Sequence, residues 1–344
     1  MPVIQGFVRF RKHQLGQQPA FGSNAVATRV LPLRGVPKIN PNWTDPDIDT
    51  GTLDPVVAPY RTGIEITCAT AGDLDFDTLP SLLSGALVGG ITPTGAGSAK
   101  TWVYQAASET ADVWEYFADE WGDDTHADDG FWLLDGIVES LDLSFDDKLG
   151  PWKASADWRY GRLGTYPTAR TAGLSADTSP HYVYGADTEL FINDTAGAIG
   201  TTKIADSVIS GKITVENEVD VKRFANGSNT RFEVAGYGRA GRKITAEFTF
   251  DKTDDVFDEV TDWLASAAVA RFVEVRVTSP DIIAASSPAA PYSFSARLPL
   301  RWRMREDGDN GGNTTITLTG EGYHDAAGLG YPIRAAVVCA RATL

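Results

Sequence analysis

The sequence predicts a mainly β protein: two tandem copies of one β-sandwich or partial barrel, each with a flanking α-helix and long loops. Three observations carry this. Apolar and polar residues alternate with period two over long stretches; glycine- and asparagine-rich turn signals separate those stretches; and the two clearest helical patterns resemble each other half a chain apart.

The alternation is plain in four segments. Ile137, Leu141, Leu143 and Phe145 alternate with Ser140, Asp142, Ser144 and Asp146, with Glu139 an exception on the apolar side. Ile213, Val215, Val219 and Val221 oppose Thr214, Glu216, Glu218 and Asp220. Ile244, Ala246, Phe248 and Phe250 oppose Thr245, Glu247 and Thr249. Phe294, Ala296, Leu298, Leu300, Trp302 and Met304 oppose Arg297, Arg301, Arg303 and Arg305. Such strands put one face on a core and the other on water or a partner, as antiparallel sheets do. Asn226-Gly227, Asp307-Gly308 and Asn310-Gly311-Gly312 are the turn signals.

The first expected helix starts near Asp77 and carries Phe76, Leu79, Leu83 and Ala86 on one face. The second starts near Asp255 and carries Phe257, Val260, Leu264 and Ala267. At a constant offset of 181 these residues superimpose, and each helix follows a strand and precedes a long alternating one. A strand–helix–strand order recurring at half the chain length reads as a duplication. The expected organisation is residues 1–165 as the first copy, 166–182 as a polar, proline-bearing linker, and 183–344 as the second copy. Length alone predicts two domains, each able to bury its own core. Residues 104–134 form an acidic excursion specific to the first copy. Between Thr101 and Asp147 there are 14 acids and no Lys or Arg.

Over all 344 residues, 46 Asp and Glu outweigh 30 Lys and Arg, a formal net charge of -16. Tight nucleic-acid binding needs a basic face that releases counterions, so it is disfavoured. Cys68 and Cys339 form no metal motif and no disulfide framework. No leader or membrane-spanning run is expected, which points to a product made in a cytoplasm.

Motif-like segments lose to simpler readings. Gly236-Tyr-Gly238-Arg-Ala-Gly241 matches a dinucleotide-loop pattern but precedes a strand, so a glycine-rich hairpin turn accounts for it better. The acids of 123–129 and the Asp307–Gly312 loop fit no established cation-ligand spacing. The four histidines accompany no nucleophile elbow and no plausible thiol partner. No cofactor, metal or catalytic residue is expected. The arginines 297, 301, 303 and 305, expected on one strand face, are candidates for electrostatic pairing with acids of another subunit, such as Asp119, Glu120, Asp123 and Asp124.

Gln14–Gly22 followed by Ala27-Thr-Arg-Val-Leu-Pro-Leu33 resembles the opening of the tail tube proteins of long-tailed bacteriophages. Tyr60–Cys68, the helix at 77–87, Trp102-Val-Tyr104, Asp135–Val138, Leu141–Phe145 and Lys153–Asp157 are similar to that family's later elements in order. The resemblance covers about 1–165 and extends to 183–344 through the internal repeat. It implies a structural virion protein, without catalysis, of a non-contractile tail assembled in the host cytoplasm. Two copies per chain imply a trimeric, pseudo-hexameric ring with the helices outside the barrel. Rings would stack through the segments 1–25, 40–58 and 104–134 into a tube that encloses a tape measure protein and passes DNA without sequence-specific binding. Tip and terminator proteins would be its other partners. On this reading Ser140, Asp142, Ser144, Glu216 and Glu218 face the lumen. A related terminator or tail-tip ring, or a carbohydrate-binding β-protein, are the rival expectations.

Overall fold

The computed structural model describes residues 11–46, 59–95, 97–106, 114–123, 130–146, 149–166, 170–205, 207–224, 232–253, 256, 269–284, 286 and 288–344. In chain order the elements are β1 (Arg11–Gln18), β2 (Arg29–Leu31), β3 (Arg34–Gly35), β4 (Lys38–Thr44), β5 (Tyr60–Asp73), α1 (Leu79–Ala86), β6 (Lys100–Gln105), β7 (Tyr116–Asp123), β8 (Phe131–Phe145), β9 (Lys153–Tyr160) and β10 (Arg162–Leu163). There follow β11 (Thr188–Asn193), β12 (Val208–Lys222), β13 (Gly236–Asp251), β14 (Arg271–Ile282), β15 (Pro291–Asn310), β16 (Asn313–Gly322) and β17 (Arg334–Cys339). The fold is mainly β and every described pairing between these strands is antiparallel.

One continuous sheet runs in the order β4-β5-β9-β8-β12-β13-β16-β15. The order β4-β5-β9-β8 in the first half recurs as β12-β13-β16-β15 in the second, and β8 meets β12 where they join. A second layer is built from the N-terminal parts of the two long strands. β1-β7-β8-β10 in the first half has the counterpart β11-β14-β15-β17 in the second. The halves are also cross-braced, because β6 of the first half adds to β17 of the second, with Trp102 opposite Val337.

The buried side chains form one contiguous cluster across both halves, from Leu15 and Trp158 to Phe248, Phe294 and Val337. The expectation of two separate cores joined by a loose linker therefore needs revision. The linker is itself fastened. Gln14 Nε2 donates to the Thr171 carbonyl at 3.2 Å, Phe76 N to the His181 carbonyl at 3.0 Å, and Val183 exchanges backbone bonds with Leu74 and Trp152.

Helix α1 begins at Leu79 rather than near Asp77. The carboxylate that organises its start is Asp75, which accepts from both Thr78 N and Thr78 Oγ1 at 2.7 Å. Every residue of this short helix is buried, including Leu79 and Leu83, with Phe76 buried just ahead of it. The helix packs against β8, β12, β6 and β17. It is thus core, not a flanking surface element. The second expected helix, with Phe257, Val260 and Leu264, lies outside the described residues.

Two β-bulges correct the strand readings. Glu139 is the extra residue where β8 faces Val138 to Trp158 and Ser140 to Asp157. It explains both the break in alternation and the burial of consecutive Ile137 and Val138. In β15 the extra residue is Arg303, between the Trp302–Gly320 and Met304–Thr319 pairs. One added residue exchanges the faces of all that follows. Arg305 therefore sits opposite Leu318, on the other face from Arg301, and Met304 is turned outward at 45% exposure. The single four-arginine stripe does not form.

Asp307-Gly308 continues as strand, and the turn falls at Gly311 (φ 62°) and Gly312 (φ 98°), where only glycine is at ease with both angles. The glycines at 236, 238 and 241 lie within β13 rather than in a turn. A Cβ on Gly238 or Gly241 would meet Lys222 at 2.8 Å or Glu218 at 2.9 Å on β12.

Candidate functional site

Three places concentrate polar side chains: the outer face of the continuous sheet, a buried network under the second layer, and the arginines of β15.

The outer face brings together the residues that alternation singled out. Ser155, Asp142, Thr214, Thr245 and Glu321 stand side by side on β9, β8, β12, β13 and β16. Asp157, Ser140, Glu216 and Lys243 form the next row, and Lys153, Ser144, Lys212, Glu247 and Thr319 the row beyond. Glu218 continues the same face of β12 and is exposed. The carboxylates have nearby cations: Lys212 reaches Asp142 at 3.0 Å, and Lys243 approaches Glu216 at 3.8 Å. Thr214 Oγ1 donates to Asp142 at 2.6 Å. The face is consequently a Ser/Thr-rich surface on which acids still outnumber lysines, with Asp142 and Glu216 each set beside a lysine. The lysines opposite were visible in sequence, but the register that sets each beside an acid was not.

Among the described residues, both outermost strands of this sheet have an open side. β4 pairs only with β5, and the Arg301–Asn310 part of β15 pairs only with β16 among the described residues. Pro41, with no N–H to give, is tolerated in β4 because an edge strand needs one ladder, not two.

Several acids of the excursion are interior residues. Asp119 is fully buried in β7 and its Oδ2 receives bonds from His13 Nδ1 at 2.7 Å and the Tyr160 hydroxyl at 2.9 Å. Glu120 is buried and accepts from Ala27 N, Thr171 N and Thr171 Oγ1. Neither is free to meet an arginine of another copy, which corrects that expectation. Asp123 ends β7 and its backbone pairs with Arg11; Asp124 lies outside the described residues.

Asp135 was not singled out by sequence. It is the one described non-glycine residue with positive φ, at 60°. Its Oδ1 accepts from Gln18 Nε2 at 3.0 Å and Gly22 N at 2.8 Å, its Oδ2 from Arg162 Nε at 2.5 Å, and its own N–H donates to Gln18 Oε1 at 2.7 Å. The Asp-Gly pair at 135–136 was the available signal. Gly136 is required because a Cβ there would meet the Tyr160 ring at 2.6 Å.

Cys68, His13 and Asp119 fall in the order of a thiol–imidazole–carboxylate relay, with Cys68 Sγ 3.9 Å from His13 Nε2. The chemistry of a relay does not follow. Burial opposes charge on His13, but the Asp119 carboxylate outweighs it and raises the imidazole to about 10. The protonated ring donates through Nδ1 to Asp119 and through Nε2 to the Gly35 carbonyl at 3.2 Å. It has no lone pair for the thiol, and all three side chains are sealed from solvent. Burial and Asp119 together also push the Tyr160 phenol well above its ordinary range. The arrangement is a buried ion pair joining β1 to β7.

The arginines of β15 are taken up within the chain. Arg297 joins Arg276 in bracketing the buried Glu274, at 3.1 and 2.8 Å. Arg301 lies over the Tyr323 ring, 4.4 Å from its centroid. Arg303 pairs with Glu321 at 3.0 Å and Arg305 with Asp307 at 2.7 Å. No group of three His, Cys, Asp or Glu is placed to hold a metal among the described residues. No described helix is long and apolar enough to cross a membrane.

No protein-family model matches the chain, and comparison with curated proteins gives no match.

Proposed function

We propose that this chain is a structural subunit of a bacteriophage tail, three copies of which close edge to edge into a ring that stacks into a hollow, DNA-conducting tube. The observation that carries the reading is the β8–β12 junction. It fuses two sheets of the same strand order into one continuous sheet and leaves an open edge at either extremity. The internal junction is the template for the external one: β15 of one copy would stand to β4 of the next as β8 stands to β12. Closing a sheet removes edges that are otherwise a liability. Two copies of one unit per chain and three chains per ring give six units around the axis.

The outer face would then line the bore, with Ser140, Asp142, Ser144, Glu216 and Glu218 among its residues. Duplex DNA carries one negative charge per ~1.7 Å, and a basic wall would hold it by counterion release. A Ser/Thr face whose lysines are matched to carboxylates offers no such stripe and is wetted without gripping phosphates. The tip, terminator and tape measure proteins would be the remaining partners, and the virion tail its location.

Negative-stain microscopy of the purified chain over a concentration series tests the reading. Hollow filaments built of three two-lobed subunits per ring are expected. Isolated rings that never stack would assign it to a terminator or tip, and monomers at every concentration, even with a nucleating tail tip, would overturn it.

A further inference from the structure

A cleft of about 970 Å³ opens between the β2–β3 segment, the end of β5, the start of α1, residues 175–182 and Arg341. Four buried polar atoms without a partner belong to residues lining it: Arg29 Nε and Nη2, Arg341 Nε and Asp77 Oδ1. Arg29 is only 9% exposed, and neither arginine makes an ion pair with a described carboxylate. Burial, and next the like charge of Arg341, lower the Arg29 guanidinium, and the charges of Asp75 and Asp77 offset this only in part. A buried guanidinium with a second, half-buried one beside it, each with a donor unspent, is the arrangement that an oxyanion relieves.

The cleft's other charged side chains have partners of their own or face solvent. Arg34 stands exposed at the rim. Asp73 is paired with Lys153, Asp75 is held by Thr78, and Asp177 accepts from Ser179 N at 2.9 Å. Asp77 alone keeps a buried acceptor oxygen unsatisfied. Its charge, after burial itself, and a hydrogen bond with the Cys339 thiol help push that thiol up to about 12, while Oδ1 stays without a partner. A fully deprotonated anion would be repelled by Asp77, whereas one that still carries a hydroxyl can donate to it.

We propose that this cleft binds inorganic phosphate, with Arg29 and Arg341 donating to its charged oxygens and Asp77 Oδ1 accepting from its remaining P–OH. At neutral pH both ionic forms of phosphate carry at least one such proton and sulfate carries none, so the site discriminates between two anions of equal shape. The proposal requires nothing of the ring reading.

The test is thermal unfolding of the full chain titrated with phosphate or sulfate at matched ionic strength. A ligand that binds only the folded state raises the midpoint saturably. The expected results are a saturable rise with phosphate, apparent affinity for sulfate about tenfold or more weaker, and loss of the phosphate response in Arg341→Gln. Asp77→Asn, which can donate to sulfate, is expected to narrow the difference. Equal responses to the two anions in the wild type, no saturable response to phosphate, or an undiminished response in Arg341→Gln would overturn the assignment.

Discussion

His13 Nδ1 lies 2.7 Å from Asp119 Oδ2, and each side chain is 1% exposed. A charge pair this deep ties β1 to β7, and its stability is linked to pH in a definite direction. The folded-state imidazole titrates near 10 against 6.5 for the free group. Its contribution is complete below pH 6.5 and is lost as pH rises through 10. Urea unfolding at intervals from pH 6 to 10 is expected to show declining stability in the wild type, with that slope much reduced in His13→Gln. Asp119→Asn, which strands the buried imidazole, should cost about 3–5 kcal/mol near pH 6.

Asp135 holds a left-handed backbone in place with three acceptor contacts and one donor. Asp135→Ala leaves Arg162, Gln18 and Gly22 without that acceptor and puts alanine at φ 60°. We expect a loss of about 3 kcal/mol or more. Asp135→Asn tolerates the same backbone and keeps one acceptor, and should cost roughly half as much. Denaturant midpoints of the two variants check the order; equal losses would mean that backbone conformation plays no part.

The end of α1 depends on the other half of the chain. Asn217 Nδ2 donates to the Ala86 carbonyl at 2.8 Å and to Val138 O at 3.2 Å, and Arg242 Nη2 to the Leu87 carbonyl at 2.9 Å. These satisfy carbonyls that a helix end leaves open, with a cation at its negative pole. Asn217→Ala should destabilise by about 1–3 kcal/mol. A fragment of residues 1–182 also loses β12 from the edge of β8 and is expected to show no cooperative thermal transition by circular dichroism. A sharp melt of that fragment would refute the shared core.

Assembly through the open edge makes a further prediction. Ile64 N donates to Phe232 O, away from β4. In an antiparallel ladder, alternate residues point the same way, so Ile39, opposite Ile66, turns its N–H outward. Ile39→Pro removes an edge donor without breaking the β4–β5 ladder. On the proposed assembly, filaments are lost in this variant and kept in Ile39→Ala, which removes the same partly buried side chain but retains the edge donor. Normal filaments from Ile39→Pro would exclude β4 as the joining edge.

The sequence by itself determined the mainly β class, the apolar sides of β8, β12, β13 and of β15 up to Trp302, and the existence of α1, because hydrophobic period reports which face leaves water. The polar face was legible for the same reason: Ser140, Asp142 and Ser144 share one face of β8 with Thr214 and Glu216 opposite them. Only tertiary structure decided what lies across from what. A bulge at Arg303 is one extra residue in one strand, invisible until the partner strand is known, yet it divided the arginine stripe. Charge pattern marked Asp119 and Glu120 as candidates for pairing with another subunit, but His13, Tyr160, Ala27 and Thr171 come from distant segments to satisfy them inside. The union of the two halves into one core rests on β8–β12 and β6–β17. Long-range pairing is set by the packing of the whole chain, which local pattern does not encode.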